Sequence, residues 1–295
     1  MKLYAPAYYK EFTCIADKCR HSCCIGWEID VDEKTLKKYK RLGDDGILSS
    51  INREETPHFC LGEGERCPHL DERGLCRIIC QYGDGYLCDI CREHPRFYND
   101  TARGREVGLG MSCEEACRII LAAKDPFSFD EIGKERGRAR RLRYDALAPR
   151  EWMLSMLSNI AIPYTERLDA LGEVYGIKIH EKRCKTLLSS LEYMEESNGA
   201  RFCAFSTDIE TPPTLEDYLL RALVYFIYRH VTAAQSPDGV RLALGFSLLC
   251  ERLLCFLAVK ENATTLEAFS EIARTLSEEL EYSEENTERL KLLFL

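Results

Sequence analysis

The sequence predicts a mainly α-helical protein in two parts. The first part, residues 1–125, is expected to be a cysteine-rich, metal-centred domain with irregular loops and short helices. The second, residues 126–295, is expected to be all-helical. Two observations lead to this prediction: 12 of the 16 cysteines lie in the first 117 residues, and from about residue 140 onward successive segments place apolar residues at helical spacing.

Composition limits the class of function. The 295 residues are 45% hydrophobic and 30% charged, which is ordinary for a soluble globular protein. The net charge of −9 disfavours a nucleic-acid partner, because phosphate binding requires clustered Lys and Arg. The basic run at 134–143 is therefore interpreted as a solvated linker or helix face, and a docking patch for an acidic partner or nucleic acid is the alternative.

The N-terminal sequence MKLYAPAYYKEFTC lacks the apolar region of a signal peptide, and no run of 18 apolar residues predicts a membrane span. We therefore expect a cytoplasmic protein with no membrane partner; no oligomeric state is predicted. In a reducing cytosol, clustered cysteines more often bind metal or do chemistry than form disulfides.

The first cysteine cluster has the spacing C-x4-C-x3-C-C and contains Cys14, Cys19, Cys23 and Cys24. Short separations allow several sulfur atoms to converge on one small group without much loop-closure entropy. Adjacent cysteines seldom serve one metal together, so either one binds while the other packs, or the two point at different irons.

Residues 28–66 separate this cluster from the next. The segment 28–42 predicts a helix with Asp32 as N-cap and an apolar stripe at Leu36, Tyr39 and Leu42. Residues 43–66 predict a loop-rich insertion with short strands. Cys60, alone in that insertion, is interpreted as an idle thiol rather than a ligand.

The second cluster, CPHLDERGLCRIICQYGDGYLCDIC, contains Cys67, Cys76, Cys80, Cys88 and Cys91. Turn signals at 71–74 and 83–86 place these cysteines beside turns. Backbone N–H groups in turns are free to point at sulfur, and such hydrogen bonds tune the potential of a cluster.

A third pair, Cys113 and Cys117, opens a helix predicted to run through Ala123 with Ser112 as N-cap. Cys113 then lies at a helix N-terminus, where a thiolate is favoured. Cys117 follows one turn later and could face the same way.

The remaining chain predicts roughly six helices, with turns at Gly172/Gly176, Asn198-Gly199, Pro212-Pro213 and 237–239. Cys250 and Cys255 lie in an apolar helix, where packing in the core is the preferred interpretation. His230 is interpreted as a residue at a helix C-terminus rather than a metal ligand.

Spacing alone leaves the metal open. Zinc prefers four thiolate or imidazole ligands, and the chain offers one C-x2-C, Cys88 to Cys91, with His21, His69 and His94 nearby. Iron–sulfur clusters prefer cysteine throughout, so we rank them ahead of zinc and place unligated thiols last. Motifs for dinucleotide, phosphate-loop, zinc-protease and serine-hydrolase sites are absent, as is the C-x3-C-x2-C of radical enzymes.

Four motifs occur in the order found in the bacterial flagellin lysine-N-methylases, the FliB family: FTCIADKCRHSCCIGWEIDVD, CPHLDERGLCRI, YGDGYLCDICREHPRFY and GLGMSCEEACRIIL. The chain resembles that family over roughly residues 8–123. CPHLDERGLC and CREHPR are also similar to the YkgJ-type zinc- or iron-chelating proteins.

This resemblance implies that an iron–sulfur cluster, expected as 4Fe–4S with zinc as the alternative, is bound by Cys14, Cys19, Cys23, Cys24, Cys67, Cys76, Cys91 and Cys113. Cys60, Cys80, Cys88 and Cys117 then count as extra thiols. The resemblance also implies S-adenosylmethionine as methyl donor and flagellin lysines as acceptors. The alternative is a non-catalytic zinc- or iron-binding module with a helical interaction scaffold.

Neither the general base nor the donor-binding residues are predicted. Methyl transfer requires a neutral lysine amine, so a carboxylate or tyrosine must remove a proton. Glu28, Asp30 and Asp32 beside Trp27, together with Tyr98, are candidates only, and roles as helix cap, surface charge or core aromatic are preferred for them. A cluster iron with an open position binding the donor is a hypothesis.

Overall fold

The structure is a computed structural model that describes residues 1–54, 56–136 and 141–295. Part of the predicted basic run, residues 137–140, therefore lies outside the described residues. The chain forms two compact units. The smaller unit is Thr13–Arg96, and the larger unit combines Met1–Phe12 with Phe97–Leu295.

This division differs from the boundary predicted at residue 125. Strand β1 (Lys2–Pro6) pairs in parallel with β5 (Gly104–Leu109) and antiparallel with β6 (Phe129–Lys134). Through these pairings, the first residues of the chain and the residues after 96 belong to the larger, mainly helical unit. The segment between them, Thr13–Arg96, forms the smaller, cysteine-rich unit.

The smaller unit is built from short elements. Its helices are α1 (Glu33–Leu42), α2 (Asp45–Ser49), α3 (Arg77–Tyr82) and α4 (Asp89–Glu93), and its strands are β2 (Ile51–Asn52) and β3 (His58–Phe59). The short strands predicted after residue 43 are therefore confirmed, with Ile51 opposite Phe59.

Asp32 is confirmed as the N-cap of α1. Its Oδ1 accepts a hydrogen bond from Thr35 N at 3.0 Å, and its Oδ2 accepts one from Asp89 N at 2.9 Å. One carboxylate therefore caps α1 and holds the start of α4. The helix ends at Gly43, whose φ of 70° suits a residue without a side chain.

In the larger unit the described strands form a four-stranded sheet in the order β4–β5–β1–β6, where β4 is Arg96–Thr101. Gly104 begins β5 with φ +150°, and a Cβ there would lie 2.6 Å from the carbonyl oxygen of Lys2. Glycine is therefore required where β5 passes close to β1.

The prediction of a mainly α-helical protein is confirmed, but the expectation that residues 126–295 are all-helical is wrong, because β6 lies within them and pairs with β1. The larger unit contains α5 (Glu114–Ala122), α6 (Leu147–Ser158), α7 (Tyr164–Val174), α8 (Glu181–Leu188), α9 (Glu196–Cys203), α10 (Pro213–Phe226), α11 (Pro237–Lys260), α12 (Leu266–Leu276) and α13 (Glu284–Lys291). Two π-helical segments, Ile227–Val231 and Ser277–Glu281, follow α10 and α12 directly.

The predicted turn at Asn198-Gly199 is wrong, because both residues are buried inside α9. A Cβ at Gly199 would lie 2.8 Å from the Tyr193 ring, and Asn198 Nδ2 donates to Glu279 at 2.8 Å. Tertiary contacts here override the local turn preference of the dipeptide. Eight described helices therefore follow residue 140, instead of roughly six.

Helix α11 is at the centre of the core of the larger unit. By length and composition alone it could cross a membrane, but 83% of its most apolar window is buried inside the protein, as in a core helix. The sequence predicted no membrane span here, because Glu251 and Arg252 interrupt the apolar residues of this helix. Cys250 and Cys255 are 0% and 1% exposed, so the prediction that they pack in the core is confirmed.

Candidate functional site

Five cysteines meet in the core of the smaller unit. Cys67 and Cys88 are buried, and Cys24, Cys76 and Cys91 pack against the same apolar residues. The thiolate charges of Cys24, Cys76 and Cys88 each act to raise the pKa of Cys67, as expected for groups that lie near one another. We call these five residues the cysteine cluster.

Backbone hydrogen bonds bring together the segments that carry the cysteine cluster. Cys67 N donates to Cys24 O at 2.8 Å, which ties the first cysteine motif to the second. The predicted turn at 71–74 is confirmed, with Gly74 N donating to Asp71 O at 3.1 Å. The chain then returns so that Cys76 caps α3, and Cys88 later caps α4.

The Cys88 and Cys91 thiols influence each other's pKa. Cys91 lowers the pKa of Cys88, whereas Cys88 together with burial raises the pKa of Cys91. The Tyr39 hydroxyl lies 3.6 Å from Cys88 Sγ and 2.7 Å from Tyr86 O. Tyr39 therefore contacts Cys88 within a buried environment.

The other members of the cysteine cluster differ in their preference for the thiolate. A hydrogen bond with Cys23 is the main cause that lowers the pKa of Cys24 to about 7. Burial raises the pKa of Cys67 to about 12 and also raises that of Cys76. A metal that binds the cluster must displace protons from the buried members.

Four predicted ligands lie outside the cysteine cluster. Cys14 and Cys23 are exposed, and Cys19 is half-buried with its Sγ donating to His21 O at 3.2 Å. Cys113 belongs to the larger unit and occupies the N-cap position of α5, so its predicted place at a helix N-terminus is confirmed. Ser112 was the predicted cap and is instead a buried residue just before it.

The cysteines that the resemblance treats as extra have different environments. Cys60 and Cys80 are exposed. Cys117 is completely buried in the helical core, where its Sγ donates to Ser270 O at 3.4 Å. Cys88, by contrast, is a full member of the cysteine cluster. Its C-x2-C spacing with Cys91 was the signal in the sequence that could have kept it among the ligands.

His69 has a structural environment. Its ring packs edge-on against Phe59 with centroids 4.7 Å apart, and its Nε2 lies 3.0 Å from Ser50 Oγ. Burial lowers the pKa of His69, so the ring is neutral near pH 7.

The donor chemistry of the cysteine cluster fits a metal that prefers sulfur, because five thiols meet in a largely apolar setting. However, within residues 1–54, 56–136 and 141–295 no group of three or more His, Cys, Asp or Glu side chains is arranged to hold a metal ion. Ligation would require these thiols to lose protons and to move closer to one another around the metal.

The candidate bases differ in their environments. Asp32 is unsuited to take a proton, because both of its oxygens accept backbone hydrogen bonds. Burial acts to raise the Asp32 pKa, but the bonds from Asp89 N and Thr35 N outweigh burial and lower it. Glu28 and Asp30 are exposed, and the Tyr98 ring lies 4.8 Å from the Arg105 guanidinium carbon.

Comparison with known proteins finds relatives for part of the chain. Over 139 residues, 43% of this chain, it is 30% identical to the lysine-N-methylase of Salmonella choleraesuis. It is 29% identical over 141 residues to the lysine-N-methylase of Salmonella typhimurium. The chain is related to lysine-N-methylases over this part of its length. The aligned region covers 34% of each of these two proteins, so the chain spans about a third of their length.

A third relative has a different name. The flagellar biosynthetic protein FliU of Salmonella muenchen is 28% identical over 141 residues, and the aligned region covers 80% of it. No family model matches the chain, and no solved structure matches it. These relatives support the resemblance to the FliB family, whereas similarity to the YkgJ-type proteins stays a prediction.

Proposed function

We propose that this protein is a member of the FliB family and acts as a protein-lysine N-methyltransferase that uses S-adenosylmethionine. Flagellin is the proposed substrate, and an iron–sulfur cluster, 4Fe–4S in form, is the proposed resident cofactor. The similarity to two proteins named lysine-N-methylase is the observation that carries the proposal. The convergence of five thiols in the smaller unit supports the metal part of it.

In this proposal the thiolates of the cysteine cluster would hold the metal group, and an iron with an open position would supply a site for the donor. The pKa of Cys24, lowered to about 7 chiefly by its hydrogen bond with Cys23, makes its thiolate accessible near neutral pH. Binding at Cys67 and Cys76 must displace protons from buried thiols, so metal uptake should be favoured by rising pH.

Methyl transfer places a second demand on the chain. A lysine amine has an ordinary pKa of about 10.4 and must be neutral to attack a sulfonium. With Asp32 occupied as a helix cap, Glu28, Asp30 and Tyr98 are the candidates that remain for taking the proton. The proposed cellular location is the cytoplasm, where a reducing environment keeps thiols reduced.

The test is anaerobic purification followed by iron, zinc and sulfide analysis, with a methyl-transfer assay against flagellin and against whole lysate. The variants Cys67→Ser and Cys76→Ser should lose the metal and the methyl transfer together. The matched control Cys60→Ser changes an exposed thiol outside the cysteine cluster and should keep both. Metal-loaded protein that transfers no methyl group to any lysine would overturn the proposed activity.

A non-catalytic metal-binding module is the second candidate. The observation in its favour is that the relative covered over 80% of its length is named a flagellar biosynthetic protein and not a methylase. A colourless protein with stoichiometric zinc and no methyl transfer would support this candidate. A brown protein that absorbs near 400 nm would support the iron–sulfur proposal; the wavelength is about that expected for iron–sulfur clusters.

A further inference from the structure

A buried polar network lies in the larger unit, where the two π-helical segments meet. The carboxylate of Glu281 is buried and accepts hydrogen bonds from Tyr225 OH at 2.8 Å, from His230 Nε2 at 2.7 Å and from Ser277 Oγ. Arg229 Nε lies 3.3 Å from the same carboxylate. We call these five residues the Glu281 network.

The charges of the Glu281 network compensate one another. Burial acts to raise the pKa of Glu281, but the Arg229 charge and the hydrogen bond with His230 outweigh it and hold the pKa at about 2. Burial lowers the pKa of His230, so a neutral imidazole donates through Nε2. The network therefore contains one anion and one cation, both held in fixed positions. π-Helical segments frequently mark functional sites, and here two of them contribute to one network.

This network also binds a distant stretch of backbone. Met111 N, which is buried, donates to Tyr225 OH at 3.1 Å, and Arg229 donates to the same hydroxyl at 3.0 Å. A side chain at Gly110 would collide with the Tyr282 hydroxyl and with the Arg229 guanidinium. Gly110 and Met111 are therefore packed directly against the network.

The backbone held in this way leads directly to Cys113. Cys113 N donates to Gly110 O at 3.4 Å, which closes a turn over residues 110–113, and Cys117 N donates to Cys113 O as α5 begins. The position of the Cys113 thiol thus depends on a turn whose second residue, Met111, is anchored by Tyr225.

We propose that the Glu281 network is a positioning site that fixes the 110–113 turn and, through it, the Cys113 thiol. Tyr225 is the contact residue, and Glu281 and Arg229 hold its hydroxyl in place. The expectation that Cys113 binds metal comes from the resemblance to the FliB family, and the positioning does not depend on it. The positioning itself is a property of the chain without metal.

The larger unit contains a matched comparison. Tyr164 is also completely buried, and its hydroxyl donates at 2.8 Å to a buried carboxylate, Glu251, which pairs with Arg252. In this second network Arg252 donates a hydrogen bond to Thr211 Oγ1, so the network is anchored away from the 110–113 turn in sequence. The substitutions Tyr225→Phe and Tyr164→Phe therefore remove the same atom from similar surroundings, but only the first affects the turn before Cys113.

The experiment measures the iodoacetamide alkylation rate of Cys113 in metal-free, full-length protein by peptide mass spectrometry, with exposed Cys60 as internal reference. Tyr225→Phe should change the rate by about tenfold, the factor for one buried hydrogen bond. Tyr164→Phe should leave the rate unchanged. Equal rates in both variants and the parent would overturn the proposal.

Two further measurements keep the test decisive. If Tyr225→Phe fails to fold, Ser277→Ala replaces it as the test variant. It removes one donor to Glu281 with little change in volume, so it should change the alkylation rate of Cys113 by a smaller factor than is expected for Tyr225→Phe. Amide exchange of Met111 should also rise in Tyr225→Phe alone, and unchanged exchange would count against the proposal. If Cys113 reactivity changes while metal content and absorbance do not, the positioning stands and the ligand assignment of Cys113 fails.

Discussion

The two units of this protein differ in what fills their cores. In the described part of the smaller unit, two of ten buried core residues are cysteines, and three more cysteines pack against them. In the larger unit the core consists of apolar side chains from many elements, with α11 the largest contributor. Most helices of the smaller unit are also too short to be stable alone. The comparison indicates that apolar burial stabilises the larger unit, and we expect the smaller unit to depend more on the proposed metal.

The largest expected effect comes from metal removal, which should loosen the smaller unit and leave the larger unit folded. Stripping the proposed metal with a chelator under anaerobic conditions should increase amide exchange strongly in α3 and α4 and leave α11 protected. Structural zinc contributes about 10 kcal/mol or more to the folding of small zinc domains, which sets the scale. Hydrogen exchange with mass spectrometry checks this by segment. Equal protection of both units after stripping would contradict the comparison.

A core truncation should destabilise the larger unit and leave the smaller unit unaffected. Leu253 in α11 is 0% exposed, so Leu253→Ala should lower the free energy of unfolding of the larger unit by about 2–5 kcal/mol. Metal content of the smaller unit should stay at its parent value. Thermal unfolding and metal analysis together measure both effects. Leu292→Ala, at a side chain 53% exposed, is the control and should change stability by less than about 0.5 kcal/mol.

Local patterns in the sequence predicted much of this contrast. The Asp32 cap, the helical texture after residue 140 and the core positions of Cys250 and Cys255 follow from spacing and residue type, and the structure agrees. The unit boundary does not follow, because it depends on β1 pairing with strands about 100 residues away. No local pattern carries that information.

The candidate site shows the same limit. Spacing favoured Cys88 and Cys91, the resemblance to the FliB family implied Cys67, Cys76 and Cys91, and these side chains all lie in one core. The Glu281 network was missed because SEELEY resembles an exposed acidic helix end. Only the tertiary fold shows that Glu281 is buried against Arg229 and His230, and that Asn198 pairs with Glu279.

A helix-cap substitution should sharpen the comparison within the smaller unit. Asp32→Ala removes the acceptor for Thr35 N and Asp89 N, so it should cost about 1–2 kcal/mol and loosen the starts of both α1 and α4. Denaturant unfolding of the protein as purified, with any metal it holds, measures the loss. Asp30→Ala, a nearby exposed carboxylate, is the control. Equal losses from the two variants would show that the cap does not link α1 to α4.

The smallest expected effect is a pH dependence confined to the larger unit. Burial lowers the pKa of His230 from its ordinary value of 6.5, against the opposing charge of Glu281 and with help from Arg229 and Lys291. Below pH 6.5 the unfolded chain therefore binds a proton that the folded chain does not, so stability falls as pH decreases. The Glu281 pKa, held at about 2, adds a further loss as pH falls from its ordinary value of 4.5 toward 2.

His230→Gln should therefore flatten the stability profile between about pH 5 and pH 7, because the group that takes up the proton on unfolding is gone. Urea unfolding at a series of pH values, followed by the signal of the larger unit, measures the slope. His180→Gln, at the start of α8 and exposed, is the control and should keep the parent slope. If the slope persists in His230→Gln, the Glu281 network does not set the pH response of the larger unit.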